Sequence, residues 1–276
     1  MTGTSSGGMA PDIERAARLM ADARHVVALI GAGLSVESGI PPFRGPGGLW
    51  TRFGEPDMRG YQRMLADPRA WWQKQLSDPE PYRVELNEAL EQARPNPGHY
   101  ALAEMERLGV LRHIVTQNVD NLHWMAGSRS ISEIHGNRTK LRCVACGLRY
   151  ERARFPIDAR RLPPECPECG GLVKGDGVMF GEPIPPDVLD TCQEQALLCD
   201  CMLLVGTSGV VYPAAALPGI ARSRGAALVE VNPYDTELSP LCAVRLCGPS
   251  GDILPKVAEV VARLLPERSR SRQTPP

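Results

Sequence analysis

Apolar residues in this chain gather in short solid blocks, separated by stretches in which they recur every three or four positions. Val26–Ile30 is a run of five apolar, mostly β-branched residues, 201–205 is a second unbroken apolar run, and apolar runs interrupted by one or two polar residues fill 110–115, 131–134 and 226–231. Solid runs of that length read as strands buried on both faces. Between them the spacing changes to the helical period. Ile13, Ala16, Ala17, Leu19 and Met20 share one face of a helix over 12–23, with Asp12 after Pro11 as its N-cap. Helices also fit 97–107, 187–199, 213–222 and 253–265. Strands alternating with helices predict an α/β fold with a doubly wound parallel sheet.

Two stretches break the alternation. Residues 45–95 carry Trp50, Trp71 and Trp72 among charges and are punctuated by Pro68, Pro79 and Pro81, which predicts an inserted helical module whose aromatics serve mainly as core. Residues 139–178 hold Cys143-x2-Cys146 and Cys166-x2-Cys169, separated by 19 residues. Paired two-residue knuckles match a tetrahedral four-thiolate zinc site, with no open coordination position, so the metal is structural. The other five cysteines (Cys192, Cys199, Cys201, Cys242, Cys247) lack ligand spacing and read as small buried apolar residues. Residues 1–11 and 267–276 are expected to be disordered tails, leaving one unit over 12–266.

Where the strands end, the chain turns polar or glycine-rich. Gly31-Ala32-Gly33 follows the first strand, Gln117-Asn118-Val119-Asp120 the second, His135-Gly136 the third, Gly206-Thr207-Ser208-Gly209 the fourth and Asn232-Pro233 the fifth. Open parallel sheets bind ligands at that edge. Gly-x-Gly lets backbone approach a phosphate, but Val36 stands where the dinucleotide fingerprint has its third glycine, which counts against a hydride-transfer enzyme. Pro41 and Pro42 prevent a long helix, leaving Phe43 and Arg44 on a loop able to close over a cofactor. His135 titrates close enough to neutrality to act as a base.

Bulk properties narrow the class. A net charge of −1 over 276 residues opposes binding nucleic acid by bulk charge, although Lys140, Arg142, Arg149, Arg152, Arg154, Arg160 and Arg161 leave weak contact open at the cysteine module. With no run of 18 apolar residues, no membrane span is expected. The first residues lack a basic and apolar leader pattern, which makes the cytoplasm the expected compartment. Nothing in the sequence sets an oligomeric state.

Taken in order, GAGLSVESGIPPFRG, TQNVD, IHG, the paired Cys-x2-Cys, FGE, GTSGVVYPA and the VN of VEVNP resemble the sirtuin family of bacterial or archaeal type, over about residues 12–265. The resemblance implies an NAD-dependent protein-lysine deacylase. It implies a Rossmann-like large domain and a small domain of zinc ribbon plus helical module, with acyl-lysine proteins or peptides bound between them. By position, Gly31, Ala32, Gly33 and Ser35 would hold the NAD pyrophosphate. Phe43 and Arg44 would cover the nicotinamide ribose, Gln117 and Asn118 would orient it, and Asp120 would bind the carboxamide. His135 would be the base that activates the ribose hydroxyls, so that NAD is consumed and nicotinamide and O-acyl-ADP-ribose are released. Gly206, Thr207, Ser208, Asn232 and Ser250 would meet the adenosine side. Gly181-Glu182 and Gly209-Val210 would sandwich the peptide as an added strand, with Val178 and Phe180 lining the acyl-lysine channel.

Three departures from the family pattern matter. Lys174-Gly175-Asp176-Gly177 replaces Arg-Pro-Asp and an apolar residue, and two glycines are expected to loosen the lead into the substrate strand. The Tyr-x-x-Arg pair of relatives that accept succinyl or malonyl groups is missing: Trp72-Gln73-Lys74-Gln75 lacks both residues, and Tyr82-Arg83 lacks the spacing. Val36 stands where such relatives often have alanine. Uncharged acyl groups, acetyl first, are therefore favoured. The alternatives are acidic acyl groups read by another arginine of the module, mono-ADP-ribosyl transfer and, from a different class, a zinc-ribbon nucleic-acid-binding regulator.

Overall fold

The computed structural model describes residues 9–271. In chain order its elements are α1 (Met9–Asp22), β1 (Val26–Ile30), a 3-10 helix (Ala32–Ser38), α2 (Leu49–Phe53), α3 (Gly60–Ala66), α4 (Pro68–Ser77), α5 (Pro81–Gln92) and α6 (Pro97–Arg107). Then come β2 (Leu111–Thr116), α7 (Leu122–Ala126), β3 (Ile131–Glu133), β4 (Lys140–Cys143), β5 (Arg149–Glu151) and β6 (Val173–Gly175). The chain closes with α8 (Pro186–Leu198), β7 (Cys201–Val205), α9 (Leu217–Ser223), β8 (Ala227–Asn232), β9 (Val244–Cys247) and α10 (Ser250–Ser271).

Six strands form one parallel sheet in the order β3-β2-β1-β7-β8-β9. Every residue of β1 and β7 is buried, as expected of central strands with helices on both faces. Alternation divides their side chains. Val26, Ala28, Ile30, Leu203 and Val205 pack with Met20 of α1, Leu102 of α6 and Val257 of α10. Val27, Leu29, Met202 and Leu204 face Cys192 of α8 and Ala221 of α9. The sheet is thus the doubly wound, Rossmann-like arrangement expected.

The second layer is small. Strands β5-β4-β6 make an antiparallel ribbon. Trp72 of α4 is buried against Leu141, Val173 and two cysteines of the ribbon, and its Nε1 donates to the Val173 carbonyl at 3.0 Å. This one side chain joins the helical insertion to the cysteine insertion, so that 45–95 and 139–178 meet in space.

Several local readings change. The segment after Gly31, for which the pattern announces no element, is a 3-10 helix over Ala32–Ser38. β9 is a sixth strand that the hydrophobic pattern does not announce; only Val244 and Leu246 point inward, too short an alternation to stand out. Helix α1 already runs from Met9, so Asp12 lies in its first turn and is not the N-cap, and residues 9–11 are helical. Helix α10 runs to Ser271, through residues 267–271 assigned to the tail. Residues 1–8 and 272–276, also read as tails, lie outside the described residues. Cys192, Cys199 and Cys201 are buried as expected, whereas Cys242 is half-buried and Cys247 exposed. Among the described residues no helix is long and apolar enough to cross a membrane.

Candidate active site at the carboxyl edge of the sheet

From β1 the chain goes on to β2 on one side, while β7 goes on to β8 on the other. The carboxyl ends of β1 and β7 therefore open a crevice at the reversal of strand order. Backbone packs unusually close there. Gly31 N–H donates to the Val205 carbonyl and Gly33 N–H to that of Gly206, both at 2.9 Å. A β-carbon on Gly31 would lie 2.6 Å from the Gly206 oxygen, and one on Gly33 2.6 Å from the Gly206 α-carbon. Glycine is required at both positions by this approach, and the resulting cradle leaves room for a ligand's phosphates.

The predicted polar residues converge above it. Asn118 Nδ2 donates to the Gly31 carbonyl at 3.1 Å and to Ser35 Oγ at 3.2 Å, and Ser35 Oγ donates to Asp120 Oδ2 at 2.7 Å. Gln117 Nε2 donates to Thr207 Oγ1 at 2.9 Å, and Asn232 Nδ2 to the Thr207 carbonyl at 3.1 Å. Asp120 is buried and meets neutral donors, the Ser35 hydroxyl and the Leu122 N–H at 2.9 Å. Burial raises its pKa, and those two donors oppose the rise. Ala32 is half-buried and Ser208 exposed. Ser250 is buried beneath the 3-10 segment, its hydroxyl 3.3 Å from Glu37 Oε2, which also accepts the Gly251 N–H at 2.6 Å.

His135 stands at the seam between the two layers. Its Nδ1 lies 3.2 Å from the Gln117 carbonyl. A carbonyl can only accept, so Nδ1 carries the proton and Nε2 holds a free lone pair. Burial lowers the His135 pKa, which keeps the ring neutral. Its own carbonyl accepts the Val178 N–H at 2.9 Å, tying the base to the predicted substrate segment.

Phe43 and Arg44 both contact Trp50. The Phe43 and Trp50 centroids are 4.9 Å apart, Arg44 lies over the indole at 4.4 Å, and Trp50 meets Phe180 edge-on at 5.5 Å. The loop over the crevice thus touches the acyl-channel candidates. Residues 179–182 form a turn: Glu182 N–H donates to the Met179 carbonyl, and the Phe180 and Gly181 carbonyls accept from Tyr61 N–H and Gln62 Nε2 of α3, both at 3.1 Å. Across the cleft Gly209 is backed by Leu238, and Val210 is exposed.

The expected looseness at 174–177 is not what the structure holds. Lys174 is buried, and its Nζ donates to the carbonyls of Gly175 and Gly177, both at 2.8 Å, and pairs with Glu182 Oε2 at 2.9 Å. Asp176 pairs with Arg149 and lies 3.7 Å from Arg142; Arg142 pairs with Glu182 at 2.9 Å and Arg149 with Glu133 at 2.9 Å. Arg160 pairs with Asp158 at 3.3 Å. Three arginines read as candidates for nucleic-acid contact are therefore already matched by carboxylates.

The four ribbon cysteines fit a metal. Their sulfurs lie within 4.8 Å of one another, with Cys143–Cys169 at 3.5 Å and Cys146–Cys166 at 3.7 Å. A tetrahedral zinc with four thiolates at ~2.3 Å places its sulfurs about 3.8 Å apart. The Tyr150 hydroxyl lies 2.9 Å from Cys166 Sγ, completing an outer contact.

Sequence reasoning missed the residues behind the crevice. Asn96 Nδ2 donates to the Leu34 carbonyl at 2.7 Å and Ser38 Oγ at 3.1 Å, while its Oδ1 and the His99 ring close a capping box on α6. The Asn96-Pro97 pair before an apolar helix was the available signal. Nothing in the sequence pointed to the buried contact of His99 with His123, whose centroids are 5.2 Å apart.

Comparison with known proteins agrees with this geometry. Residues 31–213 match the Sir2 family. The NAD-dependent protein deacylase 2 of Pyrobaculum aerophilum is 44% identical over 94% of this chain and 99% of its own length. A solved Sir2 homologue–NAD complex is 38% identical, covers 91% of this chain and 94% of its own, and superposes with a TM-score of 0.73. A Sir2 protein bound to a myristoylated histone peptide is 36% identical over 94% of this chain and all of its own, with a TM-score of 0.66. Matched by the family model over residues 31–213 and by a relative 44% identical over 94% of this chain, the protein belongs to the Sir2 family, the sirtuins.

Proposed function

We propose that this NAD-dependent protein deacylase removes uncharged acyl groups, acetyl first, from lysine side chains of cytoplasmic proteins. The observation that carries the chemistry is His135: Nδ1–H held on the Gln117 carbonyl, with Nε2 free beside the Gln117–Asn118–Asp120 cluster. NAD supplies the ADP-ribosyl group that accepts the acyl group as nicotinamide leaves. The chain's own part is to bind and orient. Gly31, Ala32, Gly33 and Ser35 take the pyrophosphate; Gly206, Thr207, Ser208, Asn232 and Ser250 take the adenosine side. Phe43 and Arg44 cover the nicotinamide ribose, Gln117 and Asn118 orient it, and Asp120 accepts from the carboxamide. His135 Nε2 then takes a proton from a ribose hydroxyl.

The peptide enters as a strand against Gly209-Val210 and Gly181-Glu182, with Val178 and Phe180 along the acyl-lysine. Full pairing at Gly181 requires its carbonyl to exchange Gln62 for the peptide. Acetyl is favoured because the Tyr-x-x-Arg pair is missing and two arginines of the helical module are already matched, Arg52 by Glu85 at 2.5 Å and Arg63 by Asp57 at 2.9 Å. Arg83, which donates to the neutral Tyr82 hydroxyl at 3.0 Å and to Gln75 Oε1 at 2.9 Å, is the arginine an acidic acyl group would need. Cysteine thiols held for zinc suit a reducing compartment.

Mass spectrometry of acetyl-, succinyl- and myristoyl-lysine peptides with and without NAD tests this. NAD-dependent loss of acetyl with O-acetyl-ADP-ribose formed is the expected result. Loss confined to another acyl peptide corrects the specificity, and ADP-ribose attached to the protein substrate without deacylation replaces the reaction.

A further inference from the structure

Lys174 is 1% exposed, and its ammonium has three N–H donors and three acceptors: the Gly175 carbonyl, the Gly177 carbonyl and Glu182 Oε2. The chain folds round this nitrogen. The carbonyls on either side of Asp176 converge on it, while the Asp176 carboxylate turns away to Arg149 and to the Asn137 N–H at 2.8 Å. Neither flanking glycine is demanded by crowding. A β-carbon on Gly175 would come no nearer than 3.5 Å to Arg152, one on Gly177 no nearer than 4.0 Å to the His135 carbonyl, and neither residue is left-handed. They are soft points in the lead from β6, and the buried ammonium takes up that softness. Glu182 closes the far end: besides Lys174 it binds Arg142 and accepts the Met179 N–H at 2.8 Å. Residues 175–182 are thereby gathered at one charge, and within them Val178 N–H reaches the His135 carbonyl.

The geometry points to Lys174 as a positioning residue that holds segment 177–182 in register with His135, so that the acyl-lysine peptide meets a preformed surface. This rests on the reading above that residues 178–182 face the peptide. Lysine suits the task because its compact head can meet two carbonyls and a carboxylate from one direction. The effect belongs in peptide affinity, since the segment's ties toward the crevice run through the Val178 N–H bond to the His135 carbonyl and the Phe180 contact with Trp50.

The test uses the zinc-loaded full chain. In Lys174→Met, amide hydrogen exchange at 177–179 should quicken by about tenfold or more, with the ribbon amides of Cys143 and Val173 still protected and zinc retained. KM for an acetyl-lysine peptide should rise by about tenfold, with kcat and NAD affinity within about threefold. Lys174→Arg, which keeps charge and donors, should recover most of the KM, and Gly177→Ala added to Lys174→Met should recover part of it by stiffening the chain. Unchanged exchange at 177–179 overturns the clamp. Faster exchange with unchanged KM overturns its positioning role, and loss of zinc or ribbon protection shows that Lys174 serves the fold at large. If Lys174→Met does not fold, Lys174→Gln, which keeps two N–H donors and removes the charge, carries the same comparison, with wild-type exchange and KM refuting the proposal. In the wild type, peptide should slow exchange at 178–182. Its failure to do so removes the substrate-facing reading itself, whatever Lys174→Met does to exchange.

Discussion

On the sheet side of the cleft, Gly31, Gly33 and Gly206 are set by backbone contacts at the ends of β1 and β7, strands buried on both faces by helices. On the ribbon side, Val178 to Glu182 are set by Lys174, Arg142 and Arg149 facing Glu182, Asp176 and Glu133, next to a four-cysteine cluster. The difference follows from size. The sheet buries enough apolar surface for packing alone to locate a turn to fractions of an ångström. The ribbon's buried core is Trp72, Leu141, Val173 and two cysteines, edged by half-buried Trp71, Tyr150, Phe155, Ile157 and Leu162, and a core that small needs a metal and matched charges. Buried ion pairs contribute little net stability but are costly to unmatch, so they hold one arrangement against others. The two flanks should therefore fail under different insults.

Removing zinc should separate them most sharply. Treatment with a mercurial and chelator should abolish peptide deacylation, because ribbon folding and metal binding are one process. NAD binding, measured by calorimetry, should stay within about threefold, since the crevice rests on the sheet. Parallel loss of both would mean that the flanks are one cooperative unit. His135→Ala strikes the seam instead. Turnover should fall by about 10²–10⁴-fold with melting temperature, zinc content and NAD affinity retained. Because burial lowers the His135 pKa, the wild-type kcat/KM should hold as pH falls through about 6.5 and drop only below it. Wild-type turnover in the alanine variant would take the base away from His135.

Gly33→Ala strikes the sheet flank alone. Its β-carbon meets the Gly206 α-carbon at 2.6 Å, where no flexible side chain can yield. Overpacking of this kind costs about 1–3 kcal/mol. NAD affinity should fall roughly 10–100-fold, with exchange at 177–182 unchanged. Unaltered NAD binding would show that the cradle adjusts.

How far the two flanks were legible also differs. β1 and β7 could be read because five consecutive apolar residues between polar turns fit little besides a buried strand. The zinc site could be read because thiolate spacing is itself the geometry. Site residues at strand ends were reachable because topology brings every such end to one edge. The charge network was not. Arg142 lies 40 residues from Glu182 and Arg149 27 from Asp176, and even for Lys174, close to Glu182 in the chain, a sequence shows that a lysine is present without showing what it meets. Read locally, Lys174-Gly175-Asp176-Gly177 is a flexible stretch; the folding of both neighbouring carbonyls onto a buried Lys174 ammonium that also meets Glu182 reverses that reading. His99 and His123 were illegible for the same reason, as two helical residues whose meeting depends on how α6 and α7 pack.

That histidine pair gives the gentlest way to distinguish the flanks. His99 Nε2 and both ring nitrogens of His123 are buried without a hydrogen-bond partner, and burial pushes the pKa of His99 down to about 4 and that of His123 to about 3. Unfolded histidine titrates near 6.5. Between those values the unfolded chain binds more protons than the folded one, so stability present above about 6.5 declines as pH falls toward 4. Each histidine adds up to about 1.4 kcal/mol per pH unit to that slope. His113, pushed to about 4 chiefly by burial, adds to the same slope from β2. No histidine lies in 139–178, so the ribbon lacks this histidine term, and its own acid sensitivity comes from protons competing with zinc for the four thiolates. Urea unfolding between pH 7 and 5 should show His123→Leu with a flatter decline than the wild type, with the His113 and His99 contributions remaining. Parallel curves would mean that the buried nitrogens find partners that keep His123 indifferent to acid, and the decline would then have to come from the other buried histidines or from the zinc site.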